Sequence, residues 1–580
     1  MTEKFQFNWL KAVQIGLIGG AVAVLVSLIG MVEAFNKRDI IAGVITMGQT
    51  LLFAIGLSVS YAAASRVGGQ DWRAKLASGT LAGLMVASLI VGLVLLGKVI
   101  NLRPVLVNAS PPLFKILTFN QKDTALTIFY MLAAGAVIGL VAGLINSLPP
   151  RARRAVIAAL LWVSILGLLQ ELIRITLTPW PQVTKAVSWM FAASKNQKGL
   201  SVLGAVVVFV GVGVAHYLWS GWKPTVQTRL GELPPTSQRS LRWGSLFLVA
   251  VLLLYLPNLL GPFLSEVATT VGLYILMGLG LNIVVGFAGL LDLGYVAFFA
   301  IGAYVMGLLT TTGGELTTSF EWTFWQALPV AVGASVLAGI ILGVPVLHIR
   351  GDYLAIVTLG FGEIIRILAL SDLLKPHIGG SQGIVQVARA RIGSIVFGNA
   401  QTLYYMILVA CLLGAFVALR LKDSRGGRAW MAMREDEDVA QAMGIDLVKT
   451  KLMAFAVGAA FSGLSGAIFA SKLGTIYPHS FNLLISINAL ALIIVGGMGS
   501  IPGVIVGALA LVGLPELLRE FDEFRLLVYG GVLVAMMLYR PEGLWPEKTR
   551  QRELHAEEDA PTGEPIVELA GVTSAVTSGK

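Results

Sequence analysis

The chain has 580 residues, of which 56% are hydrophobic and only 13% charged, and its mean hydropathy is +0.81. Soluble domains carry about 25% charged residues, so too little charge is present to cover a water-soluble globule, and disordered, collagen-like and coiled-coil classes fall with it. The net charge of +10 would point to nucleic acid on a soluble chain; on a membrane chain it marks Lys and Arg gathered on cytoplasmic loops, and no nucleic acid is expected.

The N-terminus joins a basic start to an apolar run of about 20 residues from Ala12, longer than the about 7–15 of a signal peptide, and reads as an uncleaved first span. Apolar runs of about 17–25 residues are counted as membrane spans. Residues 1–235 hold six, at 12–32, 40–64, 77–97, 125–147, 155–173 and 201–219, and form an additional membrane region to which no motif assigns chemistry. Within it, Gly92, Gly97 and Lys98 match most of a phosphate-binding loop. Val99 replaces the hydroxyl residue that would hold magnesium, and the run lies inside an apolar span, so ATP binding is not expected here. Gly135, Gly139 and Gly143 form a small-residue ridge for close helix packing.

The polar, Pro-containing stretch 220–242 reads as a domain boundary. Six spans follow at 243–262, 265–287, 290–311, 325–347, 352–371 and 403–421, with glycines in 265–311 able to break a helix inside the membrane. Charges inside spans are costly and therefore informative. Asp292, three residues before Tyr295, either caps a helix start or serves a polar path. Glu363 and Arg366, three apart on one helix face, either neutralise each other or line and gate such a path. The single cysteine, Cys411, lies in an apolar run, and the five histidines are far apart, so neither a disulfide framework nor a local metal motif is expected.

Residues 422–448 are polar, and 428–443 contain no Gly or Pro. A short amphipathic helix is expected there, with Ala429, Ala432, Met433, Ala440 and Met443 on one face and Arg434, Glu435, Asp438 and Gln441 elsewhere. Gly444 stands where a helix end favours a left-handed residue. The acidic run and the Ala/Met face favour a protein groove over a membrane surface. Four last spans are expected at 452–471, 483–497, 502–518 and 526–540, with Gly499, Gly503 and Gly507 as a second packing ridge. The tail 549–580 is polar and expected to be disordered. Basic residues in 420–451 and 540–552 place both loops in the cytoplasm. The fold class is therefore an all-α polytopic membrane protein of about 16 helices with both termini cytoplasmic, a count that rests on about 20 residues per crossing.

Five stretches in order resemble the LivM-type permease subunits of branched-chain amino acid ABC transporters: 278–304, 351–367, 379–384 (GGSQGI), 427–446 and 496–508. The resemblance covers 243–545 and makes 243–548 the permease domain. It implies an importer subunit forming half of a translocation pathway in the inner (plasma) membrane, not itself an enzyme. A related second permease, two cytoplasmic ATP-binding subunits that hold ATP and magnesium, and an extracytoplasmic binding protein would complete the complex. Residues 427–446, with Gly427, Arg428, Arg434, Glu435, Asp436, Ala440, Ala442, Met443 and Gly444, resemble the family's ATPase-coupling loop. Gly379, Gly380 and Gln382 belong to its GGxxG loop, where Gln382 stands in place of the family's usual Asn. The implied substrate is leucine, isoleucine or valine; the alternatives are urea or a short-chain amide, and, from another class, an ion-coupled secondary transporter.

Overall fold

The computed structural model describes residues 8–36, 38–67, 71–121, 123–192, 199–231, 235–311, 322–347, 349, 351–517 and 522–547. The expected disordered tail, 549–580, lies outside the described residues. The chain divides into two compact units, Met1–Gly261 and Pro262–Lys580.

The first unit runs α1 (Trp9–Leu28), α2 (Met31–Phe35), the ribbon β1–β2 (Asp39–Ile41, Ile45–Thr46), α3 (Met47–Val67), α4 (Trp72–Val99), α5 (Pro111–Leu117), α6 (Thr124–Ser147), α7 (Pro150–Leu168), α8 (Gln170–Leu177), α9 (Pro181–Val187) and α10 (Val202–Gly231). The span expected from residue 40 starts as a helix only at Met47. Gly43, at φ 69°, turns the ribbon, and the Asp39 carboxylate accepts the Gly43 amide at 3.0 Å. Residues 92–99 are the last turns of α4 and form no phosphate loop. On α6, Gly135 and Gly139 sit directly on α4: a Cβ at Gly83 would lie 2.3 Å from the Gly135 carbonyl oxygen, and one at Gly139 2.3 Å from that of Gly79. In a bilayer, lipid supplies no hydrophobic pressure between helices, so this backbone approach supplies the van der Waals packing that holds them.

The stretch read as a linker is helical where described. Helix α11 (Pro235–Leu281) opens on proline, which a first helical position tolerates, and its discontinuity falls later, at Gly261 (φ 71°, ψ −176°), a conformation open essentially to glycine alone.

The second unit continues with α12 (Val296–Thr310), α13 (Phe324–Val346), α14 (Asp352–Leu370), α15 (Lys375–Ile378), β3 (Ile384–Val385), β4 (Arg391–Ile392), β5 (Ile395–Val396), α16 (Ala400–Lys422), α17 (Arg425–Glu435), α18 (Glu437–Ala442), α19 (Leu447–Leu473), β6 (Thr475–Ile476), α20 (Leu483–Gly496), α21 (Ile501–Ala508), α22 (Leu514–Leu517) and α23 (Asp522–Tyr539). Helices α12, α13 and α19 form its centre. Small residues mediate the contact: a Cβ at Gly302 would lie 2.3 Å from the Gly463 carbonyl oxygen, and one at Gly466 2.0 Å from that of Phe299. On α13 the small Ala331, Ser335 and Gly339 face inward while Leu337, Ile341 and Val344 are exposed, the arrangement expected where lipid is the solvent.

Among the described residues eleven helices are long and apolar enough to cross a membrane, or twelve if α7 and α8, bent by 64°, form one span. Each of the sixteen expected segments contains a helix, but three fall on shorter helices (Val296–Thr310, Ile501–Leu517, Tyr529–Leu538) and two share the continuous run Phe247–Phe287. The structure is therefore an all-α polytopic membrane protein, with three two-stranded ribbons as its only described sheets.

Candidate functional site

The loop between α16 and α19 is built by caps. Ser424 accepts the Gly427 amide at 3.1 Å and opens α17. A Cβ at Gly427 would fall 2.2 Å from the Leu421 carbonyl oxygen, so only glycine lets the chain double back there. The single helix expected over 428–443 is two helices. Asp436 leaves helical geometry (φ −158°, ψ 115°) and its Oδ1 accepts the amides of Asp438 and Val439, both at 2.9 Å. Aspartate is among the strongest N-cap residues, and here that preference overrides the helix formers on either side. At the far end the Gly444 amide donates to Gln441 and the Ile445 amide to Ala440, closing α18 with Gly444 at φ 88°.

Part of the face expected to meet a partner turns inward instead. Trp430 is fully buried, with its Nε1–H donating to the Thr450 carbonyl at 2.9 Å, and Met433 and Ala440 are buried beside the unit's own helices. Ala440 and Met433 are therefore not free to enter a partner's groove, because the loop spends them on its own seat. The apolar surface left outside is Val439 (59% exposed), Ala442 and Met443 (80% exposed). Trp430 and Val439 were missed in the sequence because an Ala/Met stripe masks which face packs at home. Buried Lys451 anchors α18 through Glu437 at 3.0 Å. Asp446 accepts the Lys449 amide at 3.1 Å and pairs with its ammonium, which holds its carboxyl below the usual range.

Arg434 points inward. Its Nη1 donates to the Gly286 carbonyl at 2.8 Å, and its Nη2 pairs with Glu435 at 3.2 Å, while Arg428 is exposed and bonds the Asp423 carbonyl. Gly286 lies in the wide-turned π-helix Asn282–Phe287 that ends α11. An irregular segment, 288–295, then leads to α12, and this is where the glycine-rich run breaks. A second break separates α20 from α21, and there Gly499 adopts φ 81°. Gly499 is thus a turn residue and no part of a helix ridge; Gly503 and Gly507 do pack, against the carbonyl oxygens of Gly496 and Leu492 on α20. The two breaks touch: the Asn282 Oδ1 accepts the Gly499 amide at 2.8 Å.

Asp292 and Tyr295 are fully buried in the first break. Asp292 Oδ1 accepts the Gly294 amide at 2.9 Å, the Leu293 amide donates to Thr358 Oγ1 at 3.0 Å, and the Tyr295 hydroxyl donates to the Gly458 carbonyl at 2.8 Å. Both residues fasten the break to α14 and α19 and are enclosed in the packing of this unit.

Glu363 and Arg366 lie elsewhere, on α14. The Glu363 Oε2 accepts from Arg366 Nε at 2.8 Å and Nη2 at 2.7 Å, a forked pair about one-third exposed. Beside it runs an outward apolar stripe of Tyr353, Ile356, Ile364 and Ile367. The turn Gly379–Gly383 packs against α14 and holds left-handed glycines at 379, 380 and 383; a Cβ at Gly383 would lie 2.0 Å from the Ile476 carbonyl oxygen, on the strand that β3 pairs with. This turn leaves Gln382 exposed. The structure thus gathers Arg434 with both breaks, and Glu363, Arg366 and Gln382 with the α14 face.

The family described as branched-chain amino acid transport system / permease component matches residues 263–538. The high-affinity branched-chain amino acid transport system permease protein LivM of Escherichia coli (strain K12) is 38% identical over 378 residues, 60% of this chain and 87% of that protein. Its counterpart in Salmonella typhimurium is 40% identical over 334 residues, 53% of this chain and 76% of that protein. The LivH permease protein of E. coli K12 is 26% identical over 289 residues, 47% of this chain and 90% of that protein. No solved structure matches the chain.

Proposed function

The chain belongs to the LivM-type family of branched-chain amino acid transport permeases, and from that membership we propose that it is the permease subunit of an ABC importer for leucine, isoleucine or valine. The observation that carries the coupling role is the capped loop 424–446, seated on its own helices by Trp430 and Lys451 and offering Val439, Ala442 and Met443 outward. Two cytoplasmic ATPases would grip that tip and hydrolyse ATP; the permease itself catalyses no reaction and binds no ATP or metal. A related second permease would face the α14 stripe, where Glu363 and Arg366 meet protein or water because an ion pair in lipid is costly. Gln382 and the glycine turn 379–383 would form the extracytoplasmic mouth beside it, towards the substrate-binding protein.

Taking the sixteen helical segments as sixteen crossings of the plasma membrane puts both termini, the loop 424–446 and both breaks on the cytoplasmic side. An ion-coupled transporter has no use for the braced, outward tip of α18. The deciding experiment is uptake into proteoliposomes holding this chain, the second permease and the ATPases, with binding protein outside and ATP inside. Uptake of branched-chain amino acids that requires the ATPases supports the reading. Uptake driven by an ion gradient without them overturns it, and competition by urea or a short-chain amide would move the substrate to that branch.

A further inference from the structure

Each helix break exposes carbonyl groups that the next turn of helix would otherwise bond. In the second unit three of these groups are taken by segments from far along the chain. The Gly286 carbonyl at the first break accepts from Arg434 at 2.8 Å. At the second break the Val495 carbonyl accepts the Leu544 amide at 2.7 Å and the Gly496 carbonyl accepts the Trp545 amide at 2.9 Å. The segment 543–547 therefore lies as a strap over the end of α20. Gly543, at φ 92°, makes the fit: a Cβ there would lie 2.6 Å from the Gly497 Cα. The strap ends on Glu547, which pairs with Lys422 in the last turn of α16, two residues before the Ser424 cap that starts the coupling helices. With the Asn282–Gly499 bond, the loop, both breaks and the strap are joined around one locus.

We propose that Lys422, Arg434 and Glu547 are positioning residues that make the coupling loop, the two helix breaks and the C-terminal strap move as one piece. A push on the α18 tip then reaches both breaks at once: Arg434 carries it to the first, and Lys422 through Glu547 to the second. The Lys422–Glu547 pair is only 23% and 27% exposed, so breaking it costs stability as well as geometry, and uptake per ATP at equal subunit content reads the geometric part alone. Arg434 needs a planar fork to hold a backbone carbonyl and Glu435 together, which lysine does not supply.

The inference rests on the ABC-importer reading, and the experiment separates the two. The full chain is assembled with its permease and ATPase partners in proteoliposomes, and substrate taken up per ATP hydrolysed is measured at equal subunit content. Variants are Lys422→Gln, Glu547→Gln, the charge exchange Lys422→Glu with Glu547→Lys, and Arg434→Lys. The single variants are expected to assemble and hydrolyse ATP while uptake per ATP falls about fivefold or more, the scale of a typical coupling factor; the charge exchange restores most of it. Unchanged uptake per ATP in the singles overturns the proposal, whether or not less complex assembles, because a purely structural role lowers only the amount. Lowered coupling that the exchange does not restore overturns the ion-pair link as well. A wild-type complex with no ATP-driven uptake would instead count against the importer reading itself.

Discussion

A methyl group at Gly294 would lie 1.8 Å from the Thr358 carbonyl oxygen, nearer than any shift of a side chain can relieve, because both partners are backbone. Gly294→Ala is therefore expected to displace the first break from α14 and to cost about 1–3 kcal/mol or more. Thermal unfolding of the detergent-solubilised chain would show it as a lowered midpoint, and a midpoint equal to wild type would mean that the break is not packed as described. At Glu363 and Arg366 the physics is that of a forked pair on a face where lipid is a poor neighbour. Glu363→Gln strands the guanidinium, and since the pair is one-third exposed the loss is about 1–2 kcal/mol, below that for a fully buried pair. Glu363→Gln combined with Arg366→Gln should assemble and transport better than Glu363→Gln alone. A double variant equal to or worse than the single would show that the two residues act separately.

At the scale of the element, the loop 424–446 is two caps and two short helices, and its inner and outer faces predict opposite outcomes. Ala440 is 3% exposed, so Ala440→Trp overfills the loop's own seat and lowers the yield of folded chain before any partner is involved. Val439 and Met443 are outside, and exposed substitutions away from packing usually change stability by less than about 0.5 kcal/mol. Val439→Asp with Met443→Asp should leave the chain folded and inserted while ATPase co-purification drops about tenfold or more, since a contact made of a few apolar side chains cannot seat carboxylates. Full co-purification in that variant would move the docking face elsewhere on the loop. The same logic separates the glycines: Gly503 and Gly507 serve helix contact, whereas Gly499 serves a turn whose amide Asn282 holds.

For the whole molecule, the first unit has its own buried apolar clusters, around Val91, Leu113 and Met131 and around Val163, Phe191 and Leu200. Among the described residues the second has one large cluster that includes α12, α19 and α20. A chain shortened to begin near Ser240 keeps α11 almost whole and removes an even number of expected crossings, so the remaining helices should insert in the same sense. It is expected to assemble with the ATPases and to transport, measured as uptake per assembled complex. Complete loss of transport in a well-inserted, assembled shortened chain would give the first unit a direct part in the pathway.

Composition alone determined the solvent: with 13% charge this chain can fold only in a bilayer, and apolar run length located the long apolar helices, though not the short α5, α9 and α15. Local chemistry was legible too, as in the left-handed Gly444 and the i, i+3 partners Glu363 and Arg366, because caps, turns and neighbours on one helix are short-range. Three things were decided only by tertiary structure. The inward face of α17 and α18 was one, since a stripe of Ala and Met suits the loop's own seat as well as a partner's groove. The interruption at Asp436 was another: the cap itself is local, but it competes with a run of helix formers, and Glu437 just beyond it is fastened to buried Lys451 on α19. The third was the joining of the two breaks, through pairs such as Arg434 with Gly286, 148 residues apart, and Lys422 with Glu547, 125 apart. Periodicity reports the neighbours of a residue within a turn or two. In a membrane, where outward faces are as apolar as inward ones, it does not report which distant backbone carbonyl a helix break will leave for an arginine to hold.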